Sequence, residues 1–279
     1  MLEVPLVALS PQGHAVHSAK MAELKIATWN LNSIRARNDR VVAWLDANQP
    51  DVLCAQETKV VDELFPHEAL ASVGYKAVVH GQKTYNGVAL IAKEEIQDVV
   101  CGFGDGVEDP QARFIGGTVC GVRVYSAYVP NGSSVGSDKY QYKLEWLARL
   151  RAFLAKNESV GTPLALCGDW NIAPDDRDVH DPLLWEGGIL CTEKERQALK
   201  DIVDWGFTDT YRMHCEEGGM FSWWDYRMLG FPKNKGLRID HIYATDVLKE
   251  RCTGSVIDRD ERKGKGASDH APVIATFKS

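Results

Sequence analysis

Acidic and amide side chains follow three of the apolar stretches that predict buried strands. Asn30 and Asn32 come after the first stretch, Glu57 after the second, and Asp169 and Asn171 after a later one. If these strand ends lie along one edge, their oxygen atoms gather in one place. Carboxylate and amide oxygens are hard ligands that suit Mg²⁺ or Mn²⁺ better than zinc. The pattern therefore predicts a cation-binding cluster of the kind that phosphodiester hydrolysis requires.

Two Asp-His pairs occur later in the chain, Asp240-His241 inside a predicted strand and Asp269-His270 before the last strand. An unpaired carboxylate at Asp240 would be costly in an apolar strand, so we expect it to have a partner, and a histidine would serve. A single Asp or Asn at a strand end is most often a turn or cap residue. For Asn32 the turn interpretation and the functional one are equally open.

Strand and helix patterns alternate along the chain at short spacing. Thr192 and Glu195 form a capping-box pattern that predicts a helix ending near Trp205. No linker divides the chain, so we expect one unit with two sheets and helices outside them. The other predicted elements are strands at 24–29, 51–56, 164–167, 237–243 and 273–277, hairpins over 75–93 and 114–129, and helices over 35–48 and 138–157.

Composition excludes several classes of protein. The chain has 279 residues, a net charge of −7 and an ordinary charged share of 25%, which argues against a protein that coats nucleic acid through bulk charge. No apolar run reaches the roughly 18 residues that a membrane helix needs. The seven cysteines form no C-x-x-C pair, which disfavours a thiolate zinc site and disulfides, and favours the cytoplasm.

The first 23 residues differ from the rest of the chain. They lack the basic start and the long apolar stretch of a secretory signal. We therefore expect a disordered extension over residues 1–23, with Met21 a candidate natural start, and a single catalytic domain over residues 24–279.

Six separated motifs together resemble exonuclease III and the AP endonucleases, and six motifs in order are highly specific. The resemblance covers about residues 24–277. It implies a DNase I-like α/β fold: a four-layer sandwich of two mixed β-sheets packed face to face, with helices on both outer sides. The motifs are ATWNLNSIRAR at 27–37, PDVLCAQETK at 50–59, GDWNIAP at 168–174, FSWWDYR at 221–227, GLRIDHIY at 236–243 and SDHAP at 268–272.

The resemblance also implies catalytic and metal-binding roles. Asp169 matches the residue that activates or orients the attacking water, and Asn171 the amide that holds this water and the phosphate. Tyr128 matches a phenol that contacts the scissile phosphate, and Asp240 with His270 a paired acid and imidazole at the phosphate. Glu57 is the main metal ligand that it implies, within a set comprising Asn30, Glu57, Asp169, Asn171, Asp269 and His270.

Substrate contacts are implied at a further set of positions. Trp223 and Leu237 match the residues that line a pocket for a base-free sugar. Asn131 lies in the Tyr-Val-Pro-Asn-Gly stretch that carries Tyr128. Arg35 and Arg238 belong to a group of basic residues near the motifs that could grip phosphates, although solvated surface charge is an equal alternative for each of them. The remaining members of the group are Arg37, Lys59, Lys139, Arg227, Lys233 and Lys235.

The function implied is that of a Mg²⁺-dependent DNA-repair phosphodiesterase, with Mn²⁺ able to substitute. It would act as a monomer on double-stranded DNA, cutting 5′ to abasic sites, removing nucleotides from 3′ ends, and acting as a 3′-phosphatase or 3′-diesterase. One alternative is a phosphoinositide or sphingomyelin hydrolase of the same superfamily, since the SDHAP motif is shared across it. A second alternative is an inactive DNA-binding module, but none of the expected catalytic acids is missing.

Overall fold

The computed structural model of the protein describes residues 23–279. The expectations of a disordered extension and of a natural start at Met21 fall on residues 1–22, outside the described residues. Glu23, which we had assigned to the extension, is the first residue of strand β1. No helix of the described part is long and apolar enough to cross a membrane.

The described residues contain fourteen strands and six α-helices, besides short 3₁₀ helices and loops. The helices are α1 (Ile34–Asn48), α2 (His67–Ala71), α3 (Asp138–Asn157), α4 (Pro182–Trp185), α5 (Glu193–Val203) and α6 (Asp246–Lys249). The strands are β1 (Glu23–Asn30), β2 (Val52–Gln56), β3 (Lys76–His80), β4 (Val88–Ala92), β5 (Gln97–Cys101), β6 (Phe114–Val119), β7 (Val122–Tyr128), β8 (Leu164–Asp169), β9 (Phe207–Asp209), β10 (Trp223–Trp224), β11 (Gly236–Leu237), β12 (Asp240–Thr245), β13 (Cys252–Ile257) and β14 (Val273–Lys278).

Most strands belong to two six-stranded sheets. Their orders are β13-β14-β1-β2-β4-β3 and β5-β6-β7-β8-β12-β9, and β10 with β11 forms a small separate ribbon. Each sheet is mixed, because β1 with β2 and β7 with β8 are parallel pairs while the neighbouring pairs are antiparallel. Between the sheets lies an apolar core that includes Ile26, Cys54, Val124 and Cys167.

Helices cover the outer faces of both sheets. On the first sheet, Trp44 and Leu45 of α1 pack with Trp29 and Leu53. On the second, residues of α3 and α5 form an aromatic-rich cluster with Trp170 of the strand-following loop. The α/β four-layer sandwich with two mixed sheets is thereby confirmed.

Local sequence explains where the main helices begin. The Ser33 hydroxyl accepts a hydrogen bond from the Ala36 amide at the start of α1, and Ser137 does the same for Tyr140 in α3. The predicted capping box is present in α5, where Thr192 and Glu195 satisfy each other's backbone amides. These caps fix where each helix meets the loops that carry polar residues.

The strand registers bring the polar strand ends together. Asn30 at the end of β1 pairs with Gln56 at the end of the parallel strand β2, and Glu57 follows directly. In the second sheet Asp169 of β8 lies opposite both Tyr128 of β7 and Asp240 of β12. Both sheets thus contribute to one edge of the sandwich.

Candidate active site

Asp169 lies at the centre of the polar cluster and is almost fully buried. Its Oδ2 accepts hydrogen bonds from the Nδ2 of Asn30 at 2.9 Å and the Nδ2 of Asn171 at 3.2 Å. Its Oδ1 accepts from the backbone amide of Asn171 at 2.9 Å. Burial raises the pKa of Asp169; the nearby His270 opposes this rise and the carboxylate of Asp240 adds to it. A carboxylate with a raised pKa can take a proton from water near neutral pH.

Asp240 and His270 form a buried pair beside Asp169. The Nδ1 of His270 lies 2.9 Å from Oδ2 of Asp240, and its Nε2 lies 3.8 Å from Oδ2 of Asp169. Burial alone would lower the pKa of His270, but the Asp240 and Asp169 carboxylates together outweigh it and raise that pKa to about 10. The imidazole is therefore a cation at neutral pH, as expected for an acid-paired histidine.

Glu57 faces Asp169 from the other sheet and is half-buried. Its Oε1 accepts hydrogen bonds from the Tyr128 hydroxyl at 2.8 Å and from Nδ2 of Asn30 at 2.9 Å, and its Oε2 lies 2.7 Å from Nζ of Lys59. Burial raises the pKa of Glu57, but the Lys59 ammonium and the Asn30 amide outweigh burial and hold it below the ordinary value. Glu57 is thus ionised at neutral pH.

Tyr128 remains a neutral phenol in this setting. Burial and the Glu57 carboxylate raise its pKa well above the usual value, so its hydroxyl can donate a hydrogen bond. The guanidinium of Arg113 lies 4.5 Å from the centre of the Tyr128 ring and also bonds the Tyr128 carbonyl, which fixes the ring in place.

Two of the polar residues have unusual backbone conformations. Glu57 and Asn171 have φ values of 51° and 50°, in the left-handed region that costs a non-glycine residue energy. Asn tolerates this region comparatively well, whereas Glu does not. Such strain is common at functional sites, where the surrounding structure enforces it.

Asp269, the acid of the SDHAP motif, links the cluster to Trp223. Its Oδ2 accepts a hydrogen bond from the indole nitrogen of Trp223 at 3.1 Å, and its Oδ1 accepts from the Asn32 amide at 3.0 Å. Trp223 is only partly buried, while Trp224 is completely buried. The two adjacent rings therefore differ in their access to the site. On the far side, exposed Asn131 donates to the Oδ1 of Asn171 at 3.0 Å.

The structure buries two side chains that we expected at the substrate-facing surface. Arg238 is 1% exposed, and its guanidinium contacts Asp178 at 2.5 Å and Asp209 at 2.8 Å, so it cannot grip phosphates at the surface. Leu237 is also completely buried and pairs with Trp223 across the β10–β11 ribbon. Leu237 backs the ring of Trp223 but offers no surface of its own.

The other basic positions differ among themselves. Arg35 is exposed at the start of α1 and lines a hollow of about 210 Å³ together with Arg37 and Lys265. A larger cavity of about 600 Å³ opens beside Glu57 and Tyr128, and its basic residues are Lys59, Arg113 and Lys139. Basic residues thus line the cavity that opens directly beside Glu57 and Tyr128.

The donor set fits a hard cation. The side-chain amide of Asn30 donates hydrogen bonds to the carboxylates of both Glu57 and Asp169 and so keeps these two acids close together. The possible ligand atoms here, which are these carboxylate oxygens and the amide oxygens of Asn30 and Asn171, are all oxygen. Asp169, Asp240 and His270 also lie within reach of a single ion. However, the Asp240 oxygens already bind Ser222 and His270, so Glu57 and Asp169 are better placed to hold a metal.

Ser222 is a site residue that sequence reasoning missed. Its hydroxyl donates to Oδ2 of Asp240 at 2.6 Å and accepts from the backbone amides of Ile239 and Asp240 at 3.0 Å each. It therefore fixes the carboxylate that orients His270. The sequence around Ser222 does not predict its hydrogen bond to Asp240, because the two residues come together only when β12 packs beside the β10–β11 ribbon.

A carboxylate-rich site at the meeting edges of two packed mixed sheets defines a class, the phosphoester hydrolases. Comparison with known proteins agrees with that class: the Endonuclease/Exonuclease/phosphatase family profile matches residues 27–270. Exodeoxyribonuclease III of Haemophilus influenzae is 37% identical over 267 residues, which cover 91% of this chain and all of the relative. The chain belongs to the exonuclease III and AP endonuclease branch of this family, and it is a hydrolytic nuclease.

Solved structures support the same assignment. An AP endonuclease from Archaeoglobus fulgidus has a TM-score of 0.89 and 40% identity, covering 92% of this chain and 100% of that one. A 3′ phosphatase from Neisseria, solved bound to a product DNA hairpin, has a TM-score of 0.88 and 40% identity, with the same coverage of both chains.

Proposed function

We propose that this DNA-repair nuclease is a Mg²⁺-dependent enzyme that cuts double-stranded DNA 5′ to abasic sites and removes nucleotides or phosphates from 3′ ends. The observation that carries the proposal is the convergence of Glu57, Asp169 and the Asp240–His270 pair at one edge of both sheets. The relatives support it, because one is an AP endonuclease and another a 3′ phosphatase solved with DNA. We further propose that it acts as a monomer in the cytoplasm.

The chain's own groups would activate the water and stabilise the phosphate. Asp169 accepts a proton from the attacking water, which the neighbouring Asn171 amide positions. As the water oxygen bonds to phosphorus, the bond from phosphorus to the 3′-oxygen breaks, and this oxygen takes up a proton from solvent to leave as a 3′-hydroxyl. The imidazolium of His270, held by Asp240, stabilises the charge that develops on the phosphoryl oxygens. The Tyr128 hydroxyl donates to another oxygen of the same phosphate. A Mg²⁺ ion held by Glu57, with Asn30, Asp169 and Asp269 nearby, would add Lewis-acid stabilisation of that charge.

Substrate recognition would use the basic surfaces of the protein. Arg35 and Lys139, which each line a hollow with other basic residues, would hold the backbone of the strand being cut. The half-buried ring of Trp223 would contact a flipped, base-free sugar and exclude an intact nucleotide by size.

Three labelled duplexes test the proposal: one with an abasic site, one with a recessed 3′ end and one with a 3′-phosphate. We expect cleavage of all three with Mg²⁺ or Mn²⁺ and none with EDTA. Full activity with EDTA, or better activity with Zn²⁺ than with Mg²⁺, would refute the metal assignment. Hydrolysis of phosphoinositide or sphingomyelin in place of DNA would favour the alternative class.

A further inference from the structure

A buried ion pair lies directly behind the loops that carry Asn131 and Asn171. Lys143 of α3 and Glu195 of α5 are both completely buried, and the Nζ of Lys143 bonds an oxygen of Glu195. Fully buried lysines are rare, and burying an ion pair costs desolvation that apolar residues would avoid. Stability alone therefore gives no reason for this pair.

The remaining bonds of Lys143 point to the site. Its ammonium donates to the backbone carbonyl of Asn171 at 2.7 Å and to that of Asn131 at 3.3 Å. These are the two asparagines whose side chains bond each other, and Asn171 also bonds Asp169. One ammonium thus joins the backbones of both loops beneath the water-positioning amide.

Glu195 fixes the ammonium from the other side. As the third residue of α5, it accepts hydrogen bonds from the Thr192 amide at 3.0 Å and the Leu190 amide at 3.1 Å, so its carboxylate cannot turn away. The loop after Asn131 passes close to the lysine: a Cβ on Gly132 would lie 3.2 Å from Cδ of Lys143. Lysine, glutamate and both loops are therefore locked together.

We propose that Lys143 is a positioning residue for hydrolysis, acting through the backbone of Asn131 and Asn171. The left-handed conformation of Asn171, with φ of 50°, directs its amide toward Asp169 and is enforced by its surroundings. The Lys143 ammonium supplies part of that enforcement by holding the Asn171 carbonyl. Without it, Asn171 relaxes and the attacking water loses its orientation. The inference rests on the proposed function, since it assigns the water-positioning role to Asn171.

Two variants separate positioning from a purely structural role. Lys143→Met/Glu195→Gln removes both charges while glutamine preserves the capping box; it should retain most of the melting temperature but lose the carbonyl contacts. Glu195→Gln alone keeps the ammonium on both carbonyls but leaves it without a counter-ion, so it should melt lower. If Lys143 positions the loops, the more stable double variant is the less active one.

Turnover and KM on an abasic duplex are measured for both variants below their melting temperatures. The double variant should lose about 10–100-fold in kcat with KM within about twofold, as misplacement of a reacting group does. Glu195→Gln should keep kcat within about threefold. The matched control, Lys200→Met/Asp204→Asn, neutralises an exposed ion pair of the same region and should change neither quantity.

The opposite ranking overturns the proposal. A folded double variant with wild-type kcat, or a Glu195→Gln variant less active than the double one, assigns Lys143 to stability alone. A double variant that does not fold does the same. If the wild-type protein fails to cut abasic DNA under these conditions, the proposed function fails instead, and the two failures are distinguishable.

Discussion

Two clusters of buried charge lie close together around β12 and have opposite characters. The first is the site cluster of Asp169, Asp240 and His270. The second, which we call the Arg238 network, consists of Asp178, Asp209, Arg212, Arg238 and His241. Each cluster contains acids and one buried histidine. At neutral pH, however, the histidine of the first cluster is a cation and that of the second is neutral.

The partners of each histidine explain the difference. His270 faces two carboxylates, which raise its pKa to about 10 against the effect of burial. For His241, burial and the adjacent Arg238 both lower the pKa, to about 4. The Nδ1 of neutral His241 accepts a hydrogen bond from Arg238, and its Nε2 donates to the carbonyl of Ile172. Local charge balance, not residue type, therefore decides which histidine can assist a reaction.

The two clusters also differ in their net charge. In the Arg238 network two arginines neutralise two carboxylates. Burial would raise the pKa values of Asp178 and Asp209, but the charge and hydrogen bonds of Arg238 outweigh burial and lower both pKa values. The site has an excess of carboxylates, counting Glu57, and the pKa of Asp169 is raised. An excess of negative charge favours binding a cation, whereas a network whose charges already balance needs no further ion.

The largest expected effect is on turnover in the site cluster. Asp169→Asn and His270→Ala should each lower kcat by about 10²–10⁴-fold, the usual contribution of a positioned acid, base or charge. DNA binding should survive, because these groups act mainly in the transition state. Single-turnover cleavage of an abasic duplex and fluorescence anisotropy measure the two quantities. A kcat within tenfold of wild type for either variant would place the chemistry elsewhere.

Asp240→Asn should give an intermediate loss of kcat in the same assay. The amide keeps the shape of the side chain but removes the charge that favours protonated His270. We expect a partial loss that is smaller than that of His270→Ala. A wild-type rate over roughly pH 6 to 9, a range spanning the usual histidine titration, would show that the pair has no catalytic role.

The Arg238 network should respond in stability instead. Arg238→Met leaves Asp178 and Asp209 buried without their main counter-ion, which should cost about 3–5 kcal/mol of the free energy of unfolding. Urea denaturation measures that loss, and the folded fraction should keep near-normal kcat. Arg177→Met is the matched control, because Arg177 pairs with Asp175 in the same loop but at the surface, and it should leave the urea midpoint unchanged. Loss of kcat without loss of stability in Arg238→Met would contradict the comparison.

A smaller effect concerns acid stability. His241 has a folded pKa of about 4 and an unfolded pKa near 6.5, so between these values only the unfolded chain binds a proton. Stability should therefore fall as pH is lowered from about 6.5 to 4, by up to about 3 kcal/mol from this residue. His270 has the opposite sign, since its contribution is present below about pH 6.5 and is lost as pH rises through about 10.

His241→Asn tests this pH dependence. Asparagine can still accept a hydrogen bond from Arg238 but does not titrate. Urea midpoints of wild type and variant should converge as pH falls through this window, because the variant lacks the proton uptake of the unfolded histidine. Parallel pH profiles for the two proteins would show that His241 is not held neutral.

Sequence periodicity predicted the central elements well. The bounds of α3 are those observed, and β1, β2, β8 and both hairpins are confirmed, because buried strands and an amphipathic helix leave regular apolar patterns. Strands β5, β9, β10 and β13 were missed, as were the short helices α2, α4 and α6. β5 and β13 lie at sheet edges, where β5 is mostly exposed, and β9 is only three residues long, so none carries a strong pattern.

Site prediction failed where partners lie far apart in the chain. Arg238 was expected at the surface, although it stands between the apolar residues Leu237 and Ile239 in the predicted strand. A charged side chain in an apolar strand is the pattern from which we expected a buried partner for Asp240. That signal could have revealed the burial of Arg238. Its partner Asp178 lies in a short 3₁₀ helix after β8 and its partner Asp209 at the end of β9, and only the fold brings them together.

The position of β14 has a consequence for synthesis of the protein. β14 lies inside the first sheet, between β13 and β1, and its pairing with β1 runs from Glu23 to Thr28. Asp269 and His270 immediately precede it. A nascent chain on the ribosome therefore lacks both a central strand and the imidazole until residues 269–278 have been translated. With the role proposed for His270, a chain whose translation stops upstream of these residues should be unable to cleave DNA.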